Sequence, residues 1–194
     1  MELDNFLRKI TDKQSLIVLG PTNLSKDDYQ YLENLEEDTP ILIIDGGMNH
    51  YAKLLNLKRN PVLSIGDNDS NNTDIPLNIQ LEIHKDDSDL AHSLSLIVNS
   101  YTNLRLDIAA FGLLGGRLDH ELINLGEFNH FLTESSFMCE ISLSNKVIAT
   151  NIKDYKFHSH KTFSILTFSS QIMELTGECK YKLTPPTIVK QLSS

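Results

Sequence analysis

Two cysteines in 194 residues, Cys139 and Cys179, are too few and too far apart for a disulfide framework or a cysteine-built zinc site. They fit the reduced thiols of a cytoplasmic protein. Long apolar runs are missing too: Pro40-Ile41-Leu42-Ile43-Ile44 has the length of a strand, far short of the roughly 20 residues that cross a bilayer. The start, Met1-Glu2-Leu3-Asp4, carries neither a basic leader nor an apolar stretch, so the sequence predicts no signal peptide and a cytoplasmic location. Basic charge is scarce. Lys and Arg number 17 against 26 Asp and Glu, a formal net charge of -9, which argues against nucleic acid as the main partner because phosphate backbones call for basic surface. Neither the Gly-x-Gly-x-x-Gly dinucleotide fingerprint nor a Walker A loop ending in Gly-Lys-Ser/Thr occurs, and no internal repeat or low-complexity tract is evident.

What is present, 40% hydrophobic and 22% charged residues, is the balance of a folded globular chain. Apolar runs of strand length at 15–20, 41–44, 62–65 and 106–114 alternate with helical spacing: Tyr29, Leu32 and Leu35 in a helix over 26–37, Tyr51, Leu54 and Leu55 in the next, then Leu90, Leu94 and Ile97, then Leu118, Leu122, Leu125 and Phe128. Leu77, Ile79, Leu81 and Ile83 alternate as a half-buried strand. Continuous apolar strands between helices predict a parallel sheet covered on both faces. Beyond residue 134 the pattern changes to short alternating segments at 138–143, 147–150, 162–168, 172–175 and 179–183, which predict a small antiparallel β domain. The expected division is therefore an α/β catalytic domain over 1–134 and a β domain over 135–194.

Polar clusters recur at the carboxyl ends of successive expected strands, the edge where open α/β sheets bind ligands. They are Asp45-Gly46-Gly47, Gly66-Asp67-Asn68-Asp69-Ser70, His84-Lys85-Asp86-Asp87-Ser88-Asp89 and Gly115-Gly116-Arg117-Leu118-Asp119-His120. Asp67 and Asp69, two apart in an extended segment, point the same way and can meet one cation; Mg²⁺ commonly takes one or two carboxylates plus substrate phosphates. The plainer account is an Asx-turn. Lys85 offers a cation for phosphate and Asp86 and Asp89 reach for a metal, while Ser88 or Asp87 also suits a helix cap. The Gly115-Gly116 pair lets backbone approach an anion at a helix start, and Arg117 adds a forked, permanently charged partner; a tight βα turn is the plainer account there. Taken together, so many acids, cations and diglycines on one edge favour a site for a metal and a nucleotide polyphosphate.

These four clusters, in this order, resemble the motifs of thiamine pyrophosphokinases: Asp-Gly-Gly-x-Asn at Asp45-Gly46-Gly47-Met48-Asn49, Gly-Asp-x-Asp-Ser at 66–70, Asp-Lys-Asp-x-Thr-Asp at 84–89, and Gly-Gly-Arg-x-Asp-His at 115–120. A weaker echo, the family's Gly-x-x-Tyr-x-Leu, stands at Gly177 to Leu183. The resemblance spans about residues 15 to 130. It implies a Rossmann-like N-terminal α/β domain with a mostly parallel sheet, a C-terminal antiparallel β-sandwich, and a homodimer with active sites between subunits. It implies transfer of pyrophosphate from ATP to thiamine, giving thiamine diphosphate and AMP, with Mg²⁺ as cofactor. By motif position Asp67, Asp69 and Asp89 hold the metal and, with Arg117, form the catalytic group. Asp45, Gly46, Gly47, Asn49, Lys85, Asp86, Ser88, Gly115 and Gly116 line the nucleotide and its phosphates, and Asp119 and His120 face the substrate.

Three departures from the family pattern stand in the sequence. His84 takes the place of the first aspartate of the third motif, Ser88 that of a threonine, and the family's later Ser-Asn pair, part of the thiamine pocket, has no counterpart before residue 194. With no tryptophan to stack on a thiazolium, Tyr155, Phe157, Phe163, Phe168 and Tyr181 are the available aromatic surfaces, with core packing as their commoner use. Two other functions fit the same residues: a pyrophosphokinase for a different alcohol such as a pterin, and an inactive nucleotide- or thiamine-binding module.

Overall fold

In the computed structural model, which describes residues 1–83, 87–144, 146–158, 162–180 and 182–191, two compact units divide at Lys153 and Asp154. The first begins with a helix that the sequence reading passed over, α1 (Leu3–Lys13). Its Leu3, Phe6, Leu7 and Ile10 recur at three- and four-residue steps, and Phe6 and Ile10 are fully buried. There follow β1 (Ser15–Leu19), α2 (Lys26–Glu33), β2 (Ile41–Ile44), a one-turn α3 (Met48–Tyr51), β3 (Val62–Gly66) and β4 (Ile79–Gln80). Then come α4 (Asp89–Ser100), β5 (Arg105–Phe111), α5 (Leu118–Glu134), β6 (Met138–Leu143) and β7 (Val147–Thr150).

The strands form one sheet in the order β4-β3-β2-β1-β5-β6-β7, parallel throughout except for β7, which runs antiparallel to β6. Continuous apolar strands do mark the sheet centre. β1 and β2 bury both faces, Leu16, Val18, Leu42 and Ile44 toward one cluster and Ile17, Leu19, Ile41 and Ile43 toward the other. The first cluster packs residues of α1, α4 and α5; the second packs α2 and α3. The chain runs outward from β1 through β2, β3 and β4, then returns to the other side of β1 with β5. The switch point of the topology therefore lies between β1 and β5, where ligands gather at the carboxyl ends of such sheets.

The expected fold class holds: a mostly parallel sheet with helices, and a small antiparallel sheet after it. The second unit contains β8 (Gln171–Leu175) paired antiparallel with β9 (Leu183–Val189), with an irregularity between Met173 and Leu175. Among the described residues it has no strand at 162–168 or 179–180. The segments at 138–143 and 147–150, expected in the β domain, extend the main sheet instead, so the first unit runs to Lys153 rather than to 134. The physical reason is that alternation reports burial of one face, not strand direction. Cys139, Ile141 and Leu143 face the core while Met138 faces outward, the same pattern an antiparallel strand would show. Local shortenings also occur: α2 stops at Glu33 rather than at 37, the alternating 77–83 contributes only Ile79–Gln80 to the sheet, and the helix expected after Gly47 is one α turn followed by a 3-10 turn at Leu55–Arg59. Among the described residues no helix is long and apolar enough to cross a membrane.

Candidate active site

β2 ends at Ile44 and the chain turns at once into a 3-10 turn, Asp45–Gly47. Asp45 is buried, 4% exposed, with a positive φ of 38°. Its two carboxylate oxygens accept the backbone N–H groups of Asn68 and Ser70, both at 2.9 Å, so it ties the loop after β3 to the end of β2. Gly66 makes that approach possible: a Cβ there would lie 2.5 Å from the Asp45 Cβ. Asn49 clamps the same loop from the next turn, donating to the Ser70 carbonyl and accepting from the Asn72 N–H, each at 2.9 Å.

Held this way, the loop presents Asp67 and Asp69 beside Asp45, with one carboxylate oxygen from each of the three lying within 4.8 Å of one another. The turn chemistry coexists with this. Asp67 accepts the Asp69 N–H at 3.2 Å, and Asp69 accepts the Ser70 hydroxyl at 2.7 Å. Three hard oxygen donors so close suit a small divalent cation, which would hold them against their mutual repulsion. Burial is the main reason the Asp45 carboxyl is pushed above its ordinary range, and the nearby charges of Asp69 and Asp89 add to it, while the Ser70 and Asn68 N–H groups pull the other way.

A second wall lies at the switch point. The loop after β1 (Pro21, Thr22, Asn23) and the loop after β5 (Leu113, Gly115, Gly116, Arg117) enclose an open groove of about 330 Å³, with His120 and Glu121 of α5 completing it. Gly115 takes a φ of +90°, a conformation that costs a residue with a Cβ, and its N–H donates to the Glu121 carboxylate at 2.8 Å. Arg117 pairs with Asp119, its Nε donating to Oδ1 at 3.1 Å; both side chains are exposed, and the pairing raises the basicity of one and the acidity of the other. The carboxylate loop and the groove adjoin, since a Cβ on Gly46 would stand 2.9 Å from the Pro21 ring.

The sequence model of the thiamin pyrophosphokinase catalytic domain matches residues 31–141, more than half of the chain, and takes in the Asp45 turn, the carboxylate loop after β3 and the diglycine loop after β5. The chain belongs to the thiamin pyrophosphokinase family. Among solved structures it is similar in fold to a thiamin pyrophosphokinase from Candida albicans, at 15% identity and a TM-score of 0.50, covering 71% of this chain and 59% of that one. Those from Geobacillus thermodenitrificans and Bacillus subtilis match at 25% and 26% identity, each with a TM-score of 0.46 and covering 66% of this chain and 58% of theirs. The chain thus spans less than two thirds of the length of these solved thiamin pyrophosphokinases. No curated protein matches it in sequence.

Against the family pattern, the structure sorts the expected site residues unevenly. Asp67 and Asp69 do meet, with Asp45 as the third member of the carboxylate group, where Asp89 was expected. Asp89, half-buried at the first position of α4, lies near enough for its charge to act on Asp45. Gly46 and Gly47 lie at the crossing of three loops, Gly47 against the Leu19 carbonyl and Gly46 against Pro21 and Ser70. Ser88 caps α4, its hydroxyl accepting the Ala91 N–H at 3.0 Å. Ser88→Ala should lower stability by about 1 kcal/mol in a urea titration, the usual worth of an N-cap. His84, Lys85 and Asp86 lie outside the described residues, as does Tyr181. Tyr155, Phe157 and Phe163 form an aromatic group in the second unit, with Phe157 edge-on to Phe163 at 4.8 Å.

The residues of the site not read from the sequence include the wall Pro21, Thr22 and Asn23, Glu121, and the pair Tyr29 and His50 behind Thr22. Glu121 had a readable signal, an acid in the first turn of a helix after a diglycine. Thr22 had only its place after the first strand.

Proposed function

We propose that this chain transfers the β,γ-pyrophosphoryl group of ATP to the hydroxyl of thiamine, giving thiamine diphosphate and AMP. The observation that carries it is the union of two half-sites at the carboxyl edge of one sheet, the Asp45, Asp67 and Asp69 group and the diglycine groove at the switch point. The alcohol oxygen forms a bond to the β-phosphorus, the bond from that phosphorus to the α,β-bridging oxygen breaks, AMP leaves with the electron pair, and the hydroxyl proton passes to a base. Bound Mg²⁺ would neutralise phosphate charge. Asp67 and Asp69 would hold it, with Asp45 setting their loop. The Gly115–Gly116 backbone admits the phosphate chain closely, and Arg117, released from Asp119, supplies a forked cation to the charge that develops. Lys85, Asp86 and Asp89 join the nucleotide side by their motif positions, Asp119 and His120 the acceptor side. A homodimer of this chain in the cytoplasm completes the reading.

Incubation with ATP, Mg²⁺ and thiamine tests it directly: AMP and thiamine diphosphate should appear in equal amounts. AMP formed only with another alcohol, such as a pterin, would replace the acceptor. Saturable ATP binding without AMP under any acceptor would leave a binding module.

The cation assignment has a test without turnover. Because the folded state binds the Asp45 proton more tightly than the unfolded chain does, ionising Asp45 costs stability; that cost is absent below the ordinary value of 3.8 and complete above the raised one. A cation between the carboxylates offsets it. Millimolar Mg²⁺ should therefore raise Tm at pH 7.5 by about 5 °C, an effect that fades as pH falls into the carboxylate range. An equal rise at pH 4 would rule the carboxylate group out as its source.

A further inference from the structure

Behind the groove stands a buried histidine that the proposed chemistry leaves unused. His50, 6% exposed, follows the Asp45 turn in α3. Its Nε2 lies 3.0 Å from the Thr22 carbonyl and its Nδ1 3.2 Å from the Tyr29 hydroxyl of α2. A carbonyl only accepts, so Nε2 carries the proton, and Nδ1 presents a lone pair to which Tyr29 donates. Burial lowers the basicity of the ring, which keeps it in this neutral form.

Thr22 is the pivot of the groove's first wall. Its N–H donates to the Gly112 carbonyl at 2.8 Å, and a Cβ on Gly116 would stand 3.2 Å from its hydroxyl. The segment belongs to no helix or strand, so the Gly112 bond on one side and His50 on the other set where it stands opposite the diglycine. We propose that His50, oriented by Tyr29, is a positioning residue that sets the width of the groove for the phosphate chain of a nucleoside triphosphate. It links the turn that carries Asp45 to the opposite wall, so the two half-sites keep one spacing. This inference rests on the pyrophosphokinase reading above.

Steady-state kinetics with ATP and thiamine separate the two. His50→Ala should raise the KM for ATP about tenfold, as expected when a half-buried carbonyl loses its donor, and leave the KM for thiamine within about twofold. His50→Gln, whose amide can donate to the same carbonyl, should recover most of the loss, and Tyr29→Phe should raise the ATP KM about threefold. In the wild type, the His50 ring nitrogens should show the Nε2–H tautomer by ¹⁵N NMR and shift when ADP is added. An active wild type with an unchanged ATP KM in His50→Ala overturns the His50 role alone, as does a His50→Gln variant no better than alanine or a ring signal indifferent to ADP. Should His50→Ala not fold, the glutamine and Tyr29→Phe variants decide the matter by the same readouts. A wild type that makes no AMP with any acceptor overturns the underlying reading, and this inference with it.

Discussion

Asp69→Asn should lower turnover by about 100-fold or more while leaving Tm nearly unchanged. Asp69 is exposed, and its carboxylate accepts the neighbouring Ser70 hydroxyl, a bond that an asparagine oxygen can still accept. The loop keeps its shape because Asp45 and Asn49 hold it, not Asp69. What is lost is one negative charge of the carboxylate group. Asp74→Asn, an exposed acid of the same loop outside that group, serves as the control and should stay within about twofold of wild type, as surface substitutions usually do. AMP release with ATP and thiamine, followed across Mg²⁺ concentrations, reads both. An Asp69→Asn variant with normal activity at low Mg²⁺ would remove Asp69 from the cation site.

Gly66→Ala should damage both stability and turnover, for a different reason. The added methyl would sit 2.5 Å from the Asp45 Cβ and 2.8 Å from its Oδ1, and that oxygen is the one accepting the Asn68 N–H. Asp45 is buried against the end of β2 and has no room to step aside without dropping the loop. The expected cost is about 1–3 kcal/mol of stability, the range for overpacking, together with a turnover loss of about tenfold or more as Asp67 and Asp69 lose their register. Gly126→Ala is the contrast. Nothing lies within 4 Å of a Cβ at that position in α5, so alanine should stabilise the helix by about 0.5–1 kcal/mol and leave activity alone. Denaturant titration and initial rates on the two variants check the pair; equal effects would mean that the crowding at Gly66 is relieved more cheaply than its neighbours suggest.

Much of the site was legible residue by residue. The acids after β3 and the diglycine before α5 stood at strand ends because apolar runs marked those ends clearly. Ser88 was legible in both of its senses, and the cap is the one the structure displays. The third carboxylate was harder. Asp45 and Asp67 come from neighbouring parallel strands in register, Ile44 beside Ile65, and no periodicity within either strand announces that pairing. α1 was missed though its spacing was present, because Leu3, Phe6, Leu7 and Ile10 are diluted by charged residues on the outer face. β6 and β7 were placed in the wrong layer because one-sided burial looks the same in a parallel edge region and in a separate antiparallel domain.

The sequence by itself determined which chemical groups this protein owns and on which loops they sit: carboxylates after two strands, a diglycine with an arginine before a helix, and little basic surface elsewhere. Short-range rules suffice for that, since apolar period, glycine and capping residues act over a few positions. The tertiary structure decided which groups meet. It set Asp45 beside Asp67 and Asp69, put the groove at the β1–β5 switch point, and seated His50 behind Thr22. Those juxtapositions follow from strand order, which is settled by burying both faces of the sheet at once and so belongs to no single stretch of the chain.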